Sequence, residues 1–307
     1  MPPSEMLNAL TIDVEDYFQV SACDSVVARD QWDRIPSRVE RNTYRLLEIL
    51  QTHHVQATFF VLGWVADRFP DLVAAIVAGG HEIGSHSYGH RRIGQLTPDQ
   101  FREDLIRSLQ SLEPIAGQPI RSFRAPTFSV TRDTWWALEI LAEEGIQVDS
   151  SIFPIRHDRY GIPDADQEIH RIETAAGPLI EFPMSVARYA GVRLPFAGGG
   201  YFRIWPLWLT RKLMHRVNRT GRPVMFYLHP WEIDPDQPVI PGMSTANRHR
   251  HRLNLSRTGD RLQALLREFR FGTVESVLNQ SAVNLSNPVP ADPAPGLTPD
   301  PAIPGMP

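Results

Sequence analysis

The sequence predicts an α/β fold, namely a distorted or incomplete (β/α) barrel of seven to eight strands. Three observations favour it. Short apolar runs rich in β-branched and aromatic residues alternate with longer segments of helical period. The 307 residues suffice for one large barrel. Polar residues follow directly after several of the apolar runs, and a barrel places its functional groups at these strand ends.

The predicted elements follow one another in order along the chain. The predicted strands are apolar runs bounded by Gly or polar residues, over residues 7–14, 57–62, 81–84, 120–124, 146–149, 179–183, 224–228 and 273–277. The predicted helices carry apolar residues at spacings of three and four, and they begin near residues 37, 67, 97, 131, 205 and 257. Capping-box patterns mark two of these starts, Ser37 with Glu40 and Thr97 with Gln100.

Composition restricts the class of protein. A net charge of −4 gives no reason to expect nucleic acid as a partner. The single cysteine, Cys23, excludes an intrachain disulfide and suits a reducing compartment. The first residues lack the basic segment and apolar core of a signal peptide, and no apolar run reaches the ~18 residues that span a bilayer. We therefore expect a cytoplasmic protein without a transmembrane segment; the sequence predicts no oligomeric state.

The last part of the chain differs in composition from the rest. Eight of the final twenty residues are proline, mixed with Ala, Gly and Asp. Such a segment cannot bury enough apolar surface to offset the entropy of ordering it. Residues 281–307 are therefore predicted to be a disordered Pro-rich tail.

Three carboxylates end the first predicted strand. Asp13, Glu15 and Asp16 lie within four positions, directly after an apolar run. Clustered carboxylates are costly to bury unless a cation gathers them. The alternative interpretation is a solvated junction between strand and loop.

Two histidines follow the third predicted strand. His86 and His90 lie four residues apart in GSHSYGH, and a helical segment would place both on one face, where they could share an ion. Two histidines and one carboxylate, with further positions open to water, form a recurrent catalytic metal site. The alternative is a pair of unconnected surface histidines.

Two further polar residues end predicted strands. Arg124 could hold a carboxylate through a bidentate fork, although a surface ion pair is a common alternative. His229 closes the apolar run VMFYL and could serve as a proton donor near neutral pH, as amide hydrolysis requires. The alternative for His229 is a hydrogen-bonded structural histidine.

These four motifs, in this order, resemble the NodB-type polysaccharide deacetylases of carbohydrate esterase family four, over most of residues 5–280. The most specific element is GSHSYGH. The segments DVEDYF, FRAPTFS, VDSSIFP, LIEFPMS and FYLHPWEID look particularly like the branch found in bacterial exopolysaccharide gene clusters with an exosortase system. That branch carries a C-terminal extension, here from about residue 182. The resemblance thus implies one deacetylase domain over residues 1–280, extension included.

The resemblance also implies an activity and a set of roles. The activity is hydrolysis of acetamido groups on N-acetylhexosamine units, in a bacterial polysaccharide or its lipid-linked precursor, with a divalent metal ion, most simply Zn²⁺. By the same resemblance His86 and His90 are metal ligands. Asp13 is the general base, Arg124 orients Asp13, and His229 is the general acid.

The chain departs from the family pattern at two places. The family opens with adjacent aspartates, base then ligand, whereas here Asp13 is followed by Val14, Glu15 and Asp16. Strand alternation puts Asp13 and Glu15 on one face, but Asp16 can turn inward if the strand has ended. We favour Asp16 as the metal ligand because its shorter side chain holds an ion more rigidly, and Glu15 is the alternative.

The second departure concerns the acid that tunes the acid histidine. The family often places an aspartate and a tryptophan shortly after the position of Asp149, where this chain has Ile152 and Phe153. The candidates for that role in this chain are Asp149, Glu181 and Glu232.

Two other functions compete with the metal-dependent deacetylase. One is a metal-independent hydrolase of small cyclic amides on the same scaffold, as in allantoinase-like relatives; the His86/His90 pair argues against it. The other is a catalytically silent carbohydrate-binding protein. A silent protein has no chemical need for all of the residues assigned above, which makes this second alternative the weaker one.

Overall fold

One long strand organises the fold in the computed structural model, which describes residues 4–189, 191–280 and 289–290. In chain order the strands are β1 (Ser4–Val14), β2 (Thr58–Val61), β3 (Glu82–Ser85), β4 (Ser122–Phe123), β5 (Val148–Asp149), β6 (His170–Thr174), β7 (Gly177–Glu181), β8 (Val186–Tyr189), β9 (Val192–Pro195), β10 (Met225–Leu228), β11 (Phe269–Gly272) and β12 (Val289–Pro290). The central strand, β1, pairs with β10 on one side and with β2 on the other, in both cases parallel.

The main sheet is an open (β/α) barrel. Seven parallel strands follow one another in the order β10-β1-β2-β3-β4-β5-β7. Within the described ranges no strand pairing joins β7 back to β10. The antiparallel strand β6 continues the sheet beyond β7, while β11 pairs with the first half of β1 and β8 forms a separate hairpin with β9. The predicted incomplete barrel is confirmed.

The helices lie between these strands along the chain. They are α1 (Val39–Thr52), α2 (Gly63–Arg68), α3 (Pro70–Ala78), α4 (Pro98–Ala116), α5 (Trp136–Glu143), α6 (Gly199–Ile204), α7 (Leu207–Asn218), α8 (Thr245–Arg252), α9 (Leu255–Leu266) and α10 (Val274–Gln280). Among the helices that the structure describes, none combines the length and the apolarity needed to cross a bilayer.

The two faces of β1 have different neighbours. Leu10, Ile12 and Val14 belong to the large apolar core that also contains buried residues of the surrounding helices. Ala9, on the opposite face, belongs to a smaller apolar cluster inside the barrel. Because side chains alternate along a strand, Asp13 shares this inner face, and the strand therefore carries it toward the barrel interior.

Several predicted boundaries are confirmed or corrected. Thr97 and Gln100 form the predicted capping box at the start of α4. The helix predicted over residues 67–78 is instead two helices that meet at Phe69, because Pro70 disfavours helical geometry in the residue before it. The predicted strand over 273–277 is wrong. Thr273 accepts a hydrogen bond from Ser276 N (3.0 Å), and this segment begins α10.

The predicted disordered tail, residues 281–307, lies outside the described residues except for Val289–Pro290. These two residues form β12 and pair with β6. The predicted extension from about residue 182 contributes β10, which lies in the same sheet as β1. A single domain over residues 1–280 stays a prediction.

Candidate metal centre and active site

The predicted site residues meet at the C-terminal ends of the parallel strands. Asp13 lies near the end of β1, His86 follows β3, Arg124 follows β4 and His229 follows β10. The side chains of the first three are almost wholly buried, and that of His229 is 16% exposed. These neighbouring strand ends form one continuous edge of the barrel, which brings residues more than 200 positions apart into one site.

The chain turns immediately after β1. Glu15 N donates a hydrogen bond to the carbonyl oxygen of Asp13 (3.0 Å), two residues earlier. The turn leaves both carboxylates at the site, since His229 Nε2 lies 3.9 Å from Asp13 Oδ2 and 3.5 Å from Glu15 Oε1. The location that strand alternation suggested for both carboxylates therefore depends on this turn, because β1 ends at Val14.

Glu15, His86 and His90 form the group that could hold a metal ion. Each offers one ligand atom, and these atoms lie within 4.8 Å of one another. His86 Nδ1 donates to the carbonyl oxygen of Arg124 (2.8 Å) in the tautomer that leaves Nε2 free as a ligand. Within the part of the chain described, Glu15 Oε2 has no hydrogen-bond partner, although His90 Nε2 lies 2.7 Å away.

This donor set fits a divalent cation. Two ring nitrogens and a carboxylate are ligands that Zn²⁺ takes in catalytic sites, and a buried carboxylate oxygen without a hydrogen bond needs such a partner. Burial raises the pKa of Glu15, but the neighbouring His90, His229 and His86 outweigh it and lower the pKa to about 2. Burial lowers the pKa of His86 to about 4. The carboxylate is thus ionised and His86 is neutral, as metal ligation requires.

The histidine pair reaches this geometry without the helical segment that would also have placed both rings on one face. Ser87 (φ 67°) and His90 (φ 49°) have left-handed backbone conformations, which bend the segment until the two rings lie 5.3 Å apart. Asp104 of α4 holds the bend, because its carboxylate accepts hydrogen bonds from Tyr88 N (2.7 Å) and Gly89 N (3.1 Å). The sequence contains no local signal that connects Asp104 to this loop.

The structure corrects the preference for Asp16 as the metal ligand. Asp16 Oδ2 accepts hydrogen bonds from Ser37 Oγ (2.5 Å), Arg38 N (2.9 Å) and Val39 N (3.2 Å). It therefore caps the first turn of α1, where Ser37 and Glu40 were expected to form the capping box. Because the Asp16 side chain binds the first turn of α1, it does not join His86 and His90. Glu15 joins them instead.

Arg124 contacts Asp13 as predicted, but through one bond instead of a fork. Its Nη1 donates to Asp13 Oδ1 (2.7 Å) and to Thr11 Oγ1 (2.7 Å). The other side of the guanidinium donates to Ser150, through Nε to the carbonyl oxygen (3.2 Å) and Nη2 to the hydroxyl (3.0 Å). These bonds fix Arg124 and leave Asp13 Oδ2 directed toward His229.

Glu232 is the carboxylate beside His229. Its Oε2 lies 3.0 Å from His229 Nδ1, on the ring edge opposite Asp13 and Glu15. Burial lowers the pKa of His229, but the charge and hydrogen bond of Glu232 and the charges of Glu15 and Asp13 outweigh it and raise the pKa to about 9. Glu232 is therefore the one of the three candidate acids that can tune His229.

The other two candidates, Asp149 and Glu181, interact with each other. They are register partners on β5 and β7, and both are fully buried. Burial raises the pKa of Asp149 to about 6, and burial together with the charge of Asp149 raises the pKa of Glu181 well above its ordinary value. The pair therefore retains a proton near neutral pH.

This pair should make stability fall as the pH rises. Because both native pKa values are raised, the native state keeps protons that the unfolded chain releases at about pH 4. The stabilisation from each retained proton is full below about pH 4 and is lost as the pH rises through the native pKa of that group. For Asp149 this loss of unfolding free energy ends near pH 6, and for Glu181 it continues at higher pH. Each group lowers the unfolding free energy by up to about 1.4 kcal/mol per pH unit. Urea unfolding should show a weaker decrease for Glu181→Gln than for wild type. Parallel pH curves would contradict this.

Comparisons with known proteins match the two halves of the chain separately. Residues 30–146 match the family model described as polysaccharide deacetylase. That range contains His86, His90 and Arg124. Residues 30–146 therefore carry a polysaccharide deacetylase domain. Residues 150–279 match a model described as a domain of unknown function, DUF3473.

Named relatives match about a third of the chain. A Bacillus cereus protein named peptidoglycan-N-acetylglucosamine deacetylase is 35% identical over 98 residues, which are 32% of this chain and 36% of the relative. A Bradyrhizobium protein named chitooligosaccharide deacetylase is 30% identical over 89 residues, 29% of this chain and 41% of the relative. The chain thus spans well under half the length of these two relatives.

A solved structure shares the fold over nearly the whole chain. It comes from Mycobacterium smegmatis and is described as a "putative polysaccharide deacetylase". The TM-score is 0.62 at 18% identity, with 99% of each chain covered. The shared fold therefore includes the C-terminal half of this protein, where His229 and Glu232 lie.

Proposed function

We propose that this protein is a metal-dependent N-deacetylase of polysaccharides containing N-acetylhexosamine. The observation that carries the proposal is the convergence of Glu15, His86 and His90 beside Asp13 and His229. The names of the Bacillus and Bradyrhizobium relatives support the substrate class. The motif resemblance favours an exopolysaccharide, or its lipid-linked precursor, as the more specific substrate. The cytoplasmic location expected from the sequence stays a prediction.

The proposed cofactor is a divalent metal ion, most simply Zn²⁺, held by Glu15, His86 and His90. When bound, such an ion polarises the acetamide carbonyl as a Lewis acid and makes water a competent nucleophile near neutral pH. The 2.7 Å distance between Glu15 Oε2 and His90 Nε2 supports this assignment, since a carboxylate oxygen and an imidazole nitrogen of the group already lie side by side. A metal-independent cyclic-amide hydrolase would not require that donor set.

Asp13 and His229 divide the proton transfers between them. Asp13 Oδ2, left free by Arg124, accepts the proton of the attacking water as the new C–O bond forms at the acetamide carbon. His229 Nε2 then gives a proton to the departing nitrogen as the C–N bond breaks. The products are acetate and the free amine of the sugar, so water supplies both the oxygen and the protons that the products need. A silent carbohydrate-binding protein would need neither transfer.

The proposal is tested with defined N-acetylhexosamine oligomers. With Zn²⁺ present, wild-type protein should release acetate and new primary amines in equal amounts. His229→Ala should lower kcat by about 10²–10⁴ because the leaving nitrogen loses its proton donor. His215→Ala is the matched control and should retain wild-type activity, since His215, on α7, pairs with Glu268 (2.9 Å). Full activity of His229→Ala, or no acetate from any such oligomer with wild type, would overturn the proposal.

A further inference from the structure

The carboxylate of Glu232 holds His229 on the ring edge opposite Asp13 and Glu15. Glu232 Oε2 contacts His229 Nδ1 (3.0 Å) and also accepts a hydrogen bond from His229 N (3.1 Å). The side chain of Glu232 is fully buried. With Nδ1 donating to this carboxylate, Nε2 is the nitrogen that gives up and regains the proton, and it faces Asp13 and Glu15.

A buried arginine occupies the second oxygen of Glu232. Arg203 Nε, in α6, donates to Glu232 Oε1 at 2.6 Å, and the side chain of Arg203 is only 4% exposed. The two oxygens of Glu232 are therefore divided, one for His229 and one for Arg203. A carboxylate held at both oxygens cannot rotate without breaking a buried charged hydrogen bond, which is costly.

Arg203 is in turn fixed by the end of a helix. Its Nη1 donates to the carbonyl oxygens of Arg250 (3.0 Å), His251 (3.1 Å) and Leu253 (3.0 Å), at the C-terminal end of α8. Carbonyls at a helix C-terminus lack intrahelical partners and carry the negative end of the helix dipole, so a cation is favoured there. The guanidinium also lies 5.0 Å from the ring centre of Trp231.

We propose that Arg203 is a positioning residue for the acid step: acting through Glu232, it fixes the ring orientation and the Nδ1–H tautomer of His229. The inference rests on the proposed function. It also gives residues 150–279 a role, because the acid, Glu232, Arg203 and the end of α8 all lie in the segment matched by the domain of unknown function. That segment completes the deacetylase site and supports its proton donor.

Arg261, in α9, offers a matched control because it contacts the backbone of the helix that carries Arg203. Arg261 Nη1 donates to the carbonyl oxygens of Phe202 (3.1 Å), Arg203 (3.1 Å) and Trp205 (3.4 Å). Arg261 therefore stabilises α6 through hydrogen bonds from an arginine to backbone carbonyls, the kind of bond that Arg203 makes to the end of α8. The hydrogen bonds of Arg261 go to the backbone of the α6 region and not to Glu232. A purely structural effect on α6 should appear equally in both arginine variants.

The experiment compares Arg203→Met, Arg203→Lys and Arg261→Met with wild type in the full chain. Arg203→Met should lower kcat for acetate release by about 10–100-fold, with KM and zinc content little changed. Arg203→Lys keeps the charge beside Glu232 and should recover part of that loss. Arg261→Met should lower Tm while kcat stays close to wild type.

A second readout is independent of turnover. Nitrogen-15 spectra of histidine-labelled protein, with the His229 signals identified by their loss in His229→Ala, report which ring nitrogen carries hydrogen. In spectra recorded above the raised pKa of His229 of about 9, where the ring is neutral, wild type and Arg261→Met should show a protonated Nδ1, whereas Arg203→Met should show a mixture of tautomers. If Arg203→Met does not fold, Arg203→Lys is compared with wild type and Arg261→Met in its place, and a smaller change is expected.

The inference is overturned if the Arg203 variants behave as Arg261→Met does, with reduced Tm but unchanged kcat and unchanged ring-nitrogen signals. Its failure is distinguishable from that of the proposed function. If wild type releases no acetate from any N-acetylated oligomer, the deacetylase proposal fails, while the tautomer comparison still decides whether Arg203 positions His229.

Discussion

Replacing Glu15 by glutamine should remove the bound divalent ion and, with it, acetate release. Glutamine preserves the length of the side chain but has no charge, and its amide is a poor ligand beside His86 and His90. Loss of the ion removes several kcal/mol of transition-state stabilisation, or about 10³-fold in kcat/KM. Zinc per chain, measured by mass spectrometry after dialysis against a weak chelator, should fall from about one toward zero.

Asp16→Ala is the matched control for Glu15→Gln, because it changes the adjacent carboxylate. Asp16 caps α1, so its removal should cost about 0.5–2 kcal/mol of unfolding free energy while the zinc content stays at the wild-type value. The reverse pattern, in which Asp16→Ala loses zinc and Glu15→Gln keeps it, would contradict the assignment of Glu15.

Asp13→Asn should produce the second large loss, about 10²–10⁴ in kcat. Asparagine keeps an oxygen for the bond from Arg124 Nη1 but cannot take a proton from water. Zinc content and KM should change little, since neither depends on that proton transfer in the proposed mechanism. The measurement is the steady-state rate of acetate release together with zinc per chain.

Thr11→Val separates proton transfer from the positioning of Arg124. Thr11 Oγ1 accepts from the same nitrogen, Nη1, at the same distance of 2.7 Å, but it has no role in the proposed chemistry. This variant should lose far less activity than Asp13→Asn. An Asp13→Asn protein that retains zinc and turns over within a few-fold of wild type would assign the base to another group.

The strand ends made much of the site predictable from the sequence. His86, Arg124 and His229 each follow an apolar run, and parallel strands of a barrel end at one rim. Asp13 follows from the alternation of side chains along β1, whereas Glu15 lies just beyond that strand and is placed by the turn after Val14. Glu232 was accessible through its spacing, three residues after His229 and directly after Trp231, although the sequence could not rank it above Asp149 and Glu181.

Other features depend on contacts between distant segments, which local patterns do not encode. The choice between Glu15 and Asp16 is decided by where α1 docks, because its first backbone N–H groups take Asp16 as a cap. The bend that joins His86 to His90 depends on Asp104 in another helix. Arg203 is 29 residues from Glu232 in the chain.

The helix that carries Arg203 was missed for a related reason. It begins after Gly198, which lies so close to β10 that a Cβ would sit 2.0 Å from the carbonyl oxygen of Tyr227. Gly198 also has a φ of 130°, which side chains rarely tolerate. In the sequence, the run of three glycines predicts a flexible connection, whereas in the fold it permits close approach to β10, the strand that His229 follows.

The central claim, that Glu15, His86 and His90 together hold one catalytic cation, is tested most directly by anomalous diffraction at the zinc edge from crystals grown with Zn²⁺. We expect one strong peak between the Glu15 carboxylate and the two imidazoles, at ordinary zinc–ligand distances of about 2.0–2.2 Å. A peak beside Asp16 and away from Glu15, or no peak near the two histidines at saturating zinc, would contradict the account.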